Sequence, residues 1–335
     1  ARLAERSSDA DRAGAQGWRL MGSVTQRSFG FLADGREANL FDLSLDDAFR
    51  VTVSDYGACL VGVVCRDREG RLADVVLGCG SVEEQARQSG YLGVVIGRVA
   101  GRISNAMFDL SGQSYALGRN DGSHHLHGGS SGFSHRVWHA EVLGDGRCGV
   151  EFLLVSEDGD QGYPGQVEFR LIYELTGPGQ LGLFYHAKSS VPTPFNPTSH
   201  AYFNLEGHDF GSIAEHWLQI FAEHYTPTNA ELIPTGLIEP VARTAFDFSD
   251  GKVVSVDWKA LERGYDNNFI LNSPPKQVRK AAILKAPGSG RTLTVATDRP
   301  CLHLYTGGWL NVSNGKGGAH YGPFAGLSLE AQGFP

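Results

Sequence analysis

A histidine, His200, sits in the run Asn196-Pro197-Thr198-Ser199-His200-Ala201-Tyr202-Phe203-Asn204-Leu205, beside hydroxyl, amide and aromatic side chains. An imidazole with an ordinary pKa near about 6.5 is partly protonated at neutral pH and can donate a proton, although a lone histidine is more often a hydrogen-bonded core residue. Acid–base chemistry also needs a group that removes a proton. The end of the chain, Leu327-Ser328-Leu329-Glu330-Ala331-Gln332-Gly333-Phe334-Pro335, supplies a carboxylate. As a strand, its period of two puts Glu330 and Ser328 on the face opposite Leu327 and Leu329, and alternation alone makes that an ordinary solvent face. Asp266, in Gly264-Tyr265-Asp266-Asn267-Asn268-Phe269, is a third acidic candidate on a loop feeding a strand, where an Asx turn accounts for it equally well.

Two further clusters carry chemistry. The segment Gly97-Arg98-Val99-Ala100-Gly101-Arg102-Ile103-Ser104-Asn105 places two arginines four apart among small and apolar residues. A guanidinium fork suits vicinal hydroxyls or a carboxylate, and a surface ion pair accounts for the segment as well as a ligand does. In His124-His125-Leu126-His127-Gly128-Gly129, three imidazoles raise the question of zinc. No H-E-x-x-H spacing or neighbouring cysteine supports a metal, so a ligand-facing histidine is the better reading. On a strand His125 and His127 would share a face, and the glycine pair points to close backbone approach to something bulky.

The elements that must hold these residues read as strands. Phe49–Val53, Gly149–Val155, Val167–Tyr173 and Thr292–Thr297 are short apolar or alternating runs bounded by turn residues. The chain's 44 glycines and 14 prolines work against long helices. Two short ones are expected: a capping box at Ser81-Val82-Glu83-Glu84 opens a helix through Ala86, and a second runs from Ser255 to Arg263. Residues 1–28 show no sustained apolar period and read as an irregular N-terminal extension, and 29–335 as one large antiparallel β-sandwich domain with few short helices.

Composition excludes several functions. A net charge of −8 argues against a surface built to neutralise nucleic-acid phosphates. Five scattered cysteines, without C-x-x-C spacing, read as buried free thiols rather than a disulfide framework. There is no apolar run of bilayer length, and Ala1 to Gly17 lacks the apolar core of an export signal, so a cytoplasmic protein without a membrane partner is expected.

Together these segments resemble the aldose 1-epimerase (galactose mutarotase) family. The resemblance runs from about Val51 to the C-terminus through motifs in family order. They include Tyr56-Gly57-Ala58, Asp74-Val75-Val76-Leu77-Gly78, Gly97 to Ile103, Leu126-His127-Gly128-Gly129, Ser156-Glu157-Asp158-Gly159 with Gly162-Tyr163-Pro164-Gly165, the His200 run, Tyr225-Thr226-Pro227, Gly264-Tyr265-Asp266, Leu304-Tyr305-Thr306-Gly307 and the Glu330 run. It implies a galactose mutarotase-like β-sandwich, no cofactor and no metal, and interconversion of the α and β anomers of free aldoses by a monomer or weak homodimer. By the same resemblance Glu330 matches the general base and His200 the general acid. Arg102, His127 and Asp266 match residues that hold the sugar, and Tyr202 a position in the binding cleft.

Four positions depart from the family pattern: Gly101 and Gly333 where asparagine is common, Asn267 where histidine is common, and His303 where glutamine commonly precedes the Leu304-Tyr305-Thr306-Gly307 motif. They bear on sugar preference more than on reaction type. Relatives usually continue for a short segment beyond the residue matching Pro335. Three rival functions share the residues: a noncatalytic sugar-binding module, which would lack the acid or base; a glycoside hydrolase pairing Asp266 with Glu330; and a sugar-phosphate epimerase, which would want several basic groups around the phosphate.

Overall fold

The computed structural model describes residues 22–261, 263–272 and 276–335. Its strands are nearly all antiparallel neighbours, gathered into four larger sheets. The first is a meander of Ser23–Phe31, Glu37–Asp46, Phe49–Ser54, Cys59–Arg66 and Leu72–Asp74, and the second a meander of His139–Val142, Gly149–Ser156, Val167–Gly177 and Gln180–Ser189. A third, six-stranded sheet runs in the order Tyr202–Phe203, Leu327–Gln332, Cys301–Tyr305, Asp266–Leu271, Ala222–Thr226, Glu239–Pro240, and a fourth joins Lys252–Val253, Trp217–Ile220, Arg279–Lys285 and Thr292–Thr297. One apolar cluster draws from all four, from Phe41 and Val53 through Phe152 and Tyr173 to Leu218, Leu284, Leu304 and Leu329. The rings of Phe41 and Phe152 meet edge to face across two of the sheets at 5.9 Å. This is the expected all-β sandwich. No helix among the described residues is long and apolar enough to cross a membrane.

The four runs expected as strands are strands, with Gly149–Ser156 and Val167–Gly177 longer than the alternation implied. The N-cap half of the capping box forms: Ser81 Oγ accepts from the Glu84 N–H at 3.3 Å, and the single α-helix among the described residues, Val82–Arg87, follows with Val82 and Gln85 buried. The second expected helix is absent. In 255–263 only a 3-10 turn at Trp258–Ala260 appears, with residue 262 outside the described residues. Strand pairing at Lys252–Val253 precedes it, and Trp258 is committed to stacking on Phe324, ring centroids 4.0 Å apart. β-Branched residues at 253, 254 and 256 also weaken any helix there.

The boundary expected at residue 28 is too late. Ser23–Phe31 forms one strand, registered from Ser23 opposite Ser44 to Phe31 opposite Glu37. It is an edge strand and most of its side chains are exposed, so its order comes from backbone pairing and leaves no apolar alternation to read. Residues 1–21 lie outside the described residues.

The two arginines of the glycine-rich segment separate completely. Arg98 is buried and structural. Its Nε donates to Ser156 Oγ at 2.9 Å. One terminal nitrogen donates to Pro164 O at 2.9 Å and Thr193 Oγ1 at 3.3 Å, and the other to Ser156 O at 3.0 Å and Glu157 O at 2.8 Å. The Ser156–Gly165 motif is therefore a loop folded around one guanidinium, which anchors the backbone that leads to Arg102. Arg98→Met removes the guanidinium's hydrogen bonds to the Ser156, Glu157 and Pro164 carbonyls and to the Ser156 and Thr193 hydroxyls, at a cost on the order of 3 kcal/mol or more. The urea midpoint should fall by that equivalent at unchanged slope, and a loss under about 1 kcal/mol would contradict the anchoring role.

Candidate functional site

The six-stranded sheet builds the floor of a cleft of about 410 Å³. Register puts Thr226 opposite Asn268, Asn268 opposite His303, and His303 opposite Glu330, a polar rung across four strands. The next rung holds Asp266, Tyr305, Ser328 and Tyr202 in the same way. Because strand side chains alternate, both rungs lie on one face, and Leu302, Leu304, Leu327 and Leu329 fill the other as core. The expected solvent face of Glu330 is thus a cleft face, and Glu330 is only 2 % exposed. Alternation located the polar face correctly but cannot say what covers it.

The opposite wall comes from turns. His125–Leu126 is a two-residue strand paired with Arg102–Ile103, and the chain then leaves strand geometry at His127, with φ 54°. His125 and His127 therefore do not share a strand face. The first turns into a small apolar cluster, its Nδ1 2.6 Å from Gly118 O and its ring against Tyr163, while His127 lines the cleft. The bulky neighbour implied by the glycine pair is backbone. A Cβ on Gly128, at φ 84°, would stand 1.7 Å from Gly97 O, so only glycine lets the two segments touch. Among the described residues no group of three or more His, Cys, Asp or Glu side chains is arranged to hold a metal ion.

Five of the six residues singled out from sequence meet directly across this cleft, and Tyr202 reaches it from the floor. His200 Nε2 lies 3.6 Å from Glu330 Oε1, both side chains being nearly enclosed, and His200 Nδ1 has no hydrogen-bond partner. The His200 ring is 5.4 Å from His127 and 5.0 Å from Tyr202. Arg102 Nε donates to Asp121 Oδ2 at 2.7 Å. Gly101 donates its N–H to His127 Nδ1 at 3.2 Å, which makes Nδ1 the acceptor and leaves Nε2–H as the ring's donor. Burial, followed by the neighbouring His200 and Arg102, holds the His127 pKa well below 6.5. The ring is neutral at physiological pH, suited to donating to a hydroxyl.

Asp266 and His303 form a second couple, with Nε2 to Oδ1 at 2.8 Å. Burial pushes the Asp266 carboxyl upward, but the hydrogen bond and charge of His303, with Arg102 and His200 behind them, outweigh it and leave it below the usual aspartate value. For His303, burial opposes the proton, and Asp266 and Glu330 overcome that to raise its pKa above 6.5. Residues not singled out as ligands also line the cleft. Tyr91 packs against His127 at 4.8 Å, Asn268 accepts from Gln332 Nε2 at 3.1 Å, and Trp309 stands at the rim under the Arg263 guanidinium at 4.0 Å. Period two from Asp266 and Glu330 reaches Asn268 and Gln332, a signal present in the sequence; nothing local marks Tyr91.

The family model described as aldose 1-epimerase matches residues 40–335. The chain belongs to the aldose 1-epimerase family. It is 40 % identical to the galactose mutarotase of Sus scrofa, over 94 % of this chain and 91 % of the relative, and 36 % identical to the aldose 1-epimerase of Haemophilus influenzae, over 90 % and 88 %. Its structure is similar to that of galactose 1-epimerase from Lactobacillus acidophilus NCFM, with a TM-score of 0.80 at 30 % identity, over 93 % of this chain and 91 % of that one. Against the family pattern, Gly101 opens the cleft wall, since a Cβ there would meet nothing within 4 Å.

A neutral His127 has a consequence for stability. With a folded pKa below the unfolded one, the unfolded chain takes up the proton first, so the contribution is full above about pH 6.5 and is lost as pH falls through the folded value. His125 and His135 shift the same way for the same reason, burial. The urea midpoint should fall between pH 7 and pH 5, and the fall should be smaller in His127→Gln. An equal fall in the variant would show that His127 takes no part.

Proposed function

We propose that this protein is an aldose 1-epimerase that interconverts the α and β anomers of free aldoses such as galactose and glucose, with Glu330 as general base and His200 as general acid. The observation that carries the reading is the 3.6 Å approach of His200 Nε2 to Glu330 Oε1 at the bottom of a polar cleft. The two oxygens that exchange protons in mutarotation, the anomeric hydroxyl and the ring oxygen, are bonded to the same carbon. Their base and acid must therefore be neighbours. The carboxylate removes the proton from the anomeric hydroxyl and the imidazolium protonates the ring oxygen. The C1–O5 bond breaks to leave an aldehyde, rotation about C1–C2 turns its other face inward, and the ring recloses with both protons returned.

Arg102, the His127 Nε2–H and Asp266 are proposed to hold sugar hydroxyls, and Tyr202 to pack beside the ring. A hydrolase would need Asp266 as Glu330's partner, but Asp266 is engaged by His303 and the group beside Glu330 is an imidazole. Arg102 is the only Arg or Lys among the described residues lining the cleft, which favours an uncharged sugar over a sugar phosphate. All five cysteines are free, which favours a reducing compartment and hence the cytoplasm. The enzyme is proposed to act there as a monomer or weak homodimer.

Polarimetry of freshly dissolved α-galactose and α-glucose tests the reading. The wild type should speed mutarotation of one or both, and Glu330→Gln and His200→Asn should each lower kcat by about 10²- to 10⁴-fold. A chelator should leave the rate unchanged. Wild-type rates in both variants would end the proposed roles.

A further inference from the structure

His303 stands where the family pattern has a neutral glutamine, and the cleft's charges show what the exchange supplies. Among the described residues three side-chain carboxylates line the cleft: Asp121, Asp266 and Glu330. Its only guanidinium among the described residues, on Arg102, is paired with Asp121 at 2.7 Å. Asp266 is left with His303, whose Nε2 lies 2.8 Å from Oδ1; no other described side chain hydrogen-bonds to that carboxylate. His303 is also the cross-strand neighbour of Glu330 on one side and of Asn268 on the other.

We propose that His303 is a positioning residue for the sugar: its imidazolium holds Asp266 Oδ1, leaves Oδ2 free to accept hydroxyls, and acts as counter-ion to the carboxylates on the two flanking strands. A glutamine there can donate one N–H but carries no charge, so in this chain sugar affinity is coupled to a proton. The groups facing His303 are Asp266 and Glu330 from the adjacent strands, which favour its charge, and Arg102 from the opposite wall, which opposes it. His127, also on that wall, is held neutral, and His200 stands beside Glu330. Burial disfavours the imidazolium and the two carboxylates outweigh it, so the raised pKa extends the charged form of His303 to higher pH than for an ordinary imidazole. Affinity is then full at low pH and weakens as pH rises through that value, while Asp266 stays ionised throughout.

The inference rests on the cleft being the sugar site proposed above, and it is tested by binding, which needs no turnover. Calorimetric titration of galactose into wild type and His303→Gln from pH 6 to pH 9 should show affinity about ten-fold weaker in the variant at pH 6, the scale of one charge-assisted hydrogen bond. The wild type should converge on the variant as pH rises, and the variant should stay flat. By linkage, saturating galactose should move the His303 titration, followed by NMR in the wild type, to higher pH. That measurement decides alone if the variant does not fold. Equal affinities at every pH, or a His303 titration unmoved by galactose, would overturn the assignment. Binding with the expected pH dependence but no mutarotation would overturn the proposed reaction and leave His303's role standing; no binding of galactose by the wild type would overturn both.

Discussion

The cleft depends on one constraint, the cross-strand register of the six-stranded sheet. Glu330, His303 and Asn268 share a rung because Leu327–Gln332, Cys301–Tyr305 and Asp266–Leu271 pair at one offset. The period of two means that a slip of one residue would send Glu330 and His303 into the core and expose Leu329 and Leu304. Each such leucine is worth about 1.5–3 kcal/mol when fully buried. Several of them, packed on the reverse face, hold the polar face in place. The apolar side of these strands thus sets the geometry of the polar side.

The two walls are made by different physics. The floor is a regular ladder, which spaces its side chains uniformly and presents one row of carboxylates, imidazole, amide and phenol. The facing wall is irregular: Gly128 pressed on the Gly97 carbonyl, His127 in a left-handed conformation, and Gly101 donating its N–H to the His127 ring while its carbonyl accepts from the His127 backbone N–H. Regular pairing could not bring an imidazole donor to face the floor at that point. Behind this wall, Arg98 ties the Ser156–Gly165 loop to the same backbone, so the irregular segment is held by side-chain hydrogen bonds where it lacks a strand ladder.

Two carboxylate–imidazole couples sit in one cleft with different surroundings. His200 and Glu330 are nearly enclosed and 3.6 Å apart, too long for a hydrogen bond, leaving both free to engage a third group. His303 and Asp266 are bonded at 2.8 Å, each shifted toward its charged form by the other. A bonded couple is suited to holding and an unbonded one to exchanging protons. The difference comes from register, since His303 lies between the strands of Asp266 and Glu330 and engages the first.

Much of the fold was legible in the chain. Strands buried on one face, such as Val167–Gly177, alternate as they should, and Ser81 with Glu84 marks the helix Val82–Arg87 because capping is local chemistry. Ser23–Arg27 was not legible, because an edge strand with exposed side chains is ordered by backbone pairing alone. The helix expected over 255–263 failed because Trp258 is taken up by Phe324, a partner distant in sequence. At the cleft, residue types and ordered motifs were enough to single out His200, Glu330, Arg102, His127 and Asp266, which all line it, and to separate polar from apolar positions along each strand. Only the tertiary structure decided that Glu330 faces a cleft and not solvent, that Arg98 is buried while Arg102 is not, that His127 leaves its strand, and that His303 takes Asp266 as its partner. Alternation and motif are properties of a few consecutive residues. Burial, pairing and proton affinity depend on what the rest of the chain brings within a few ångströms.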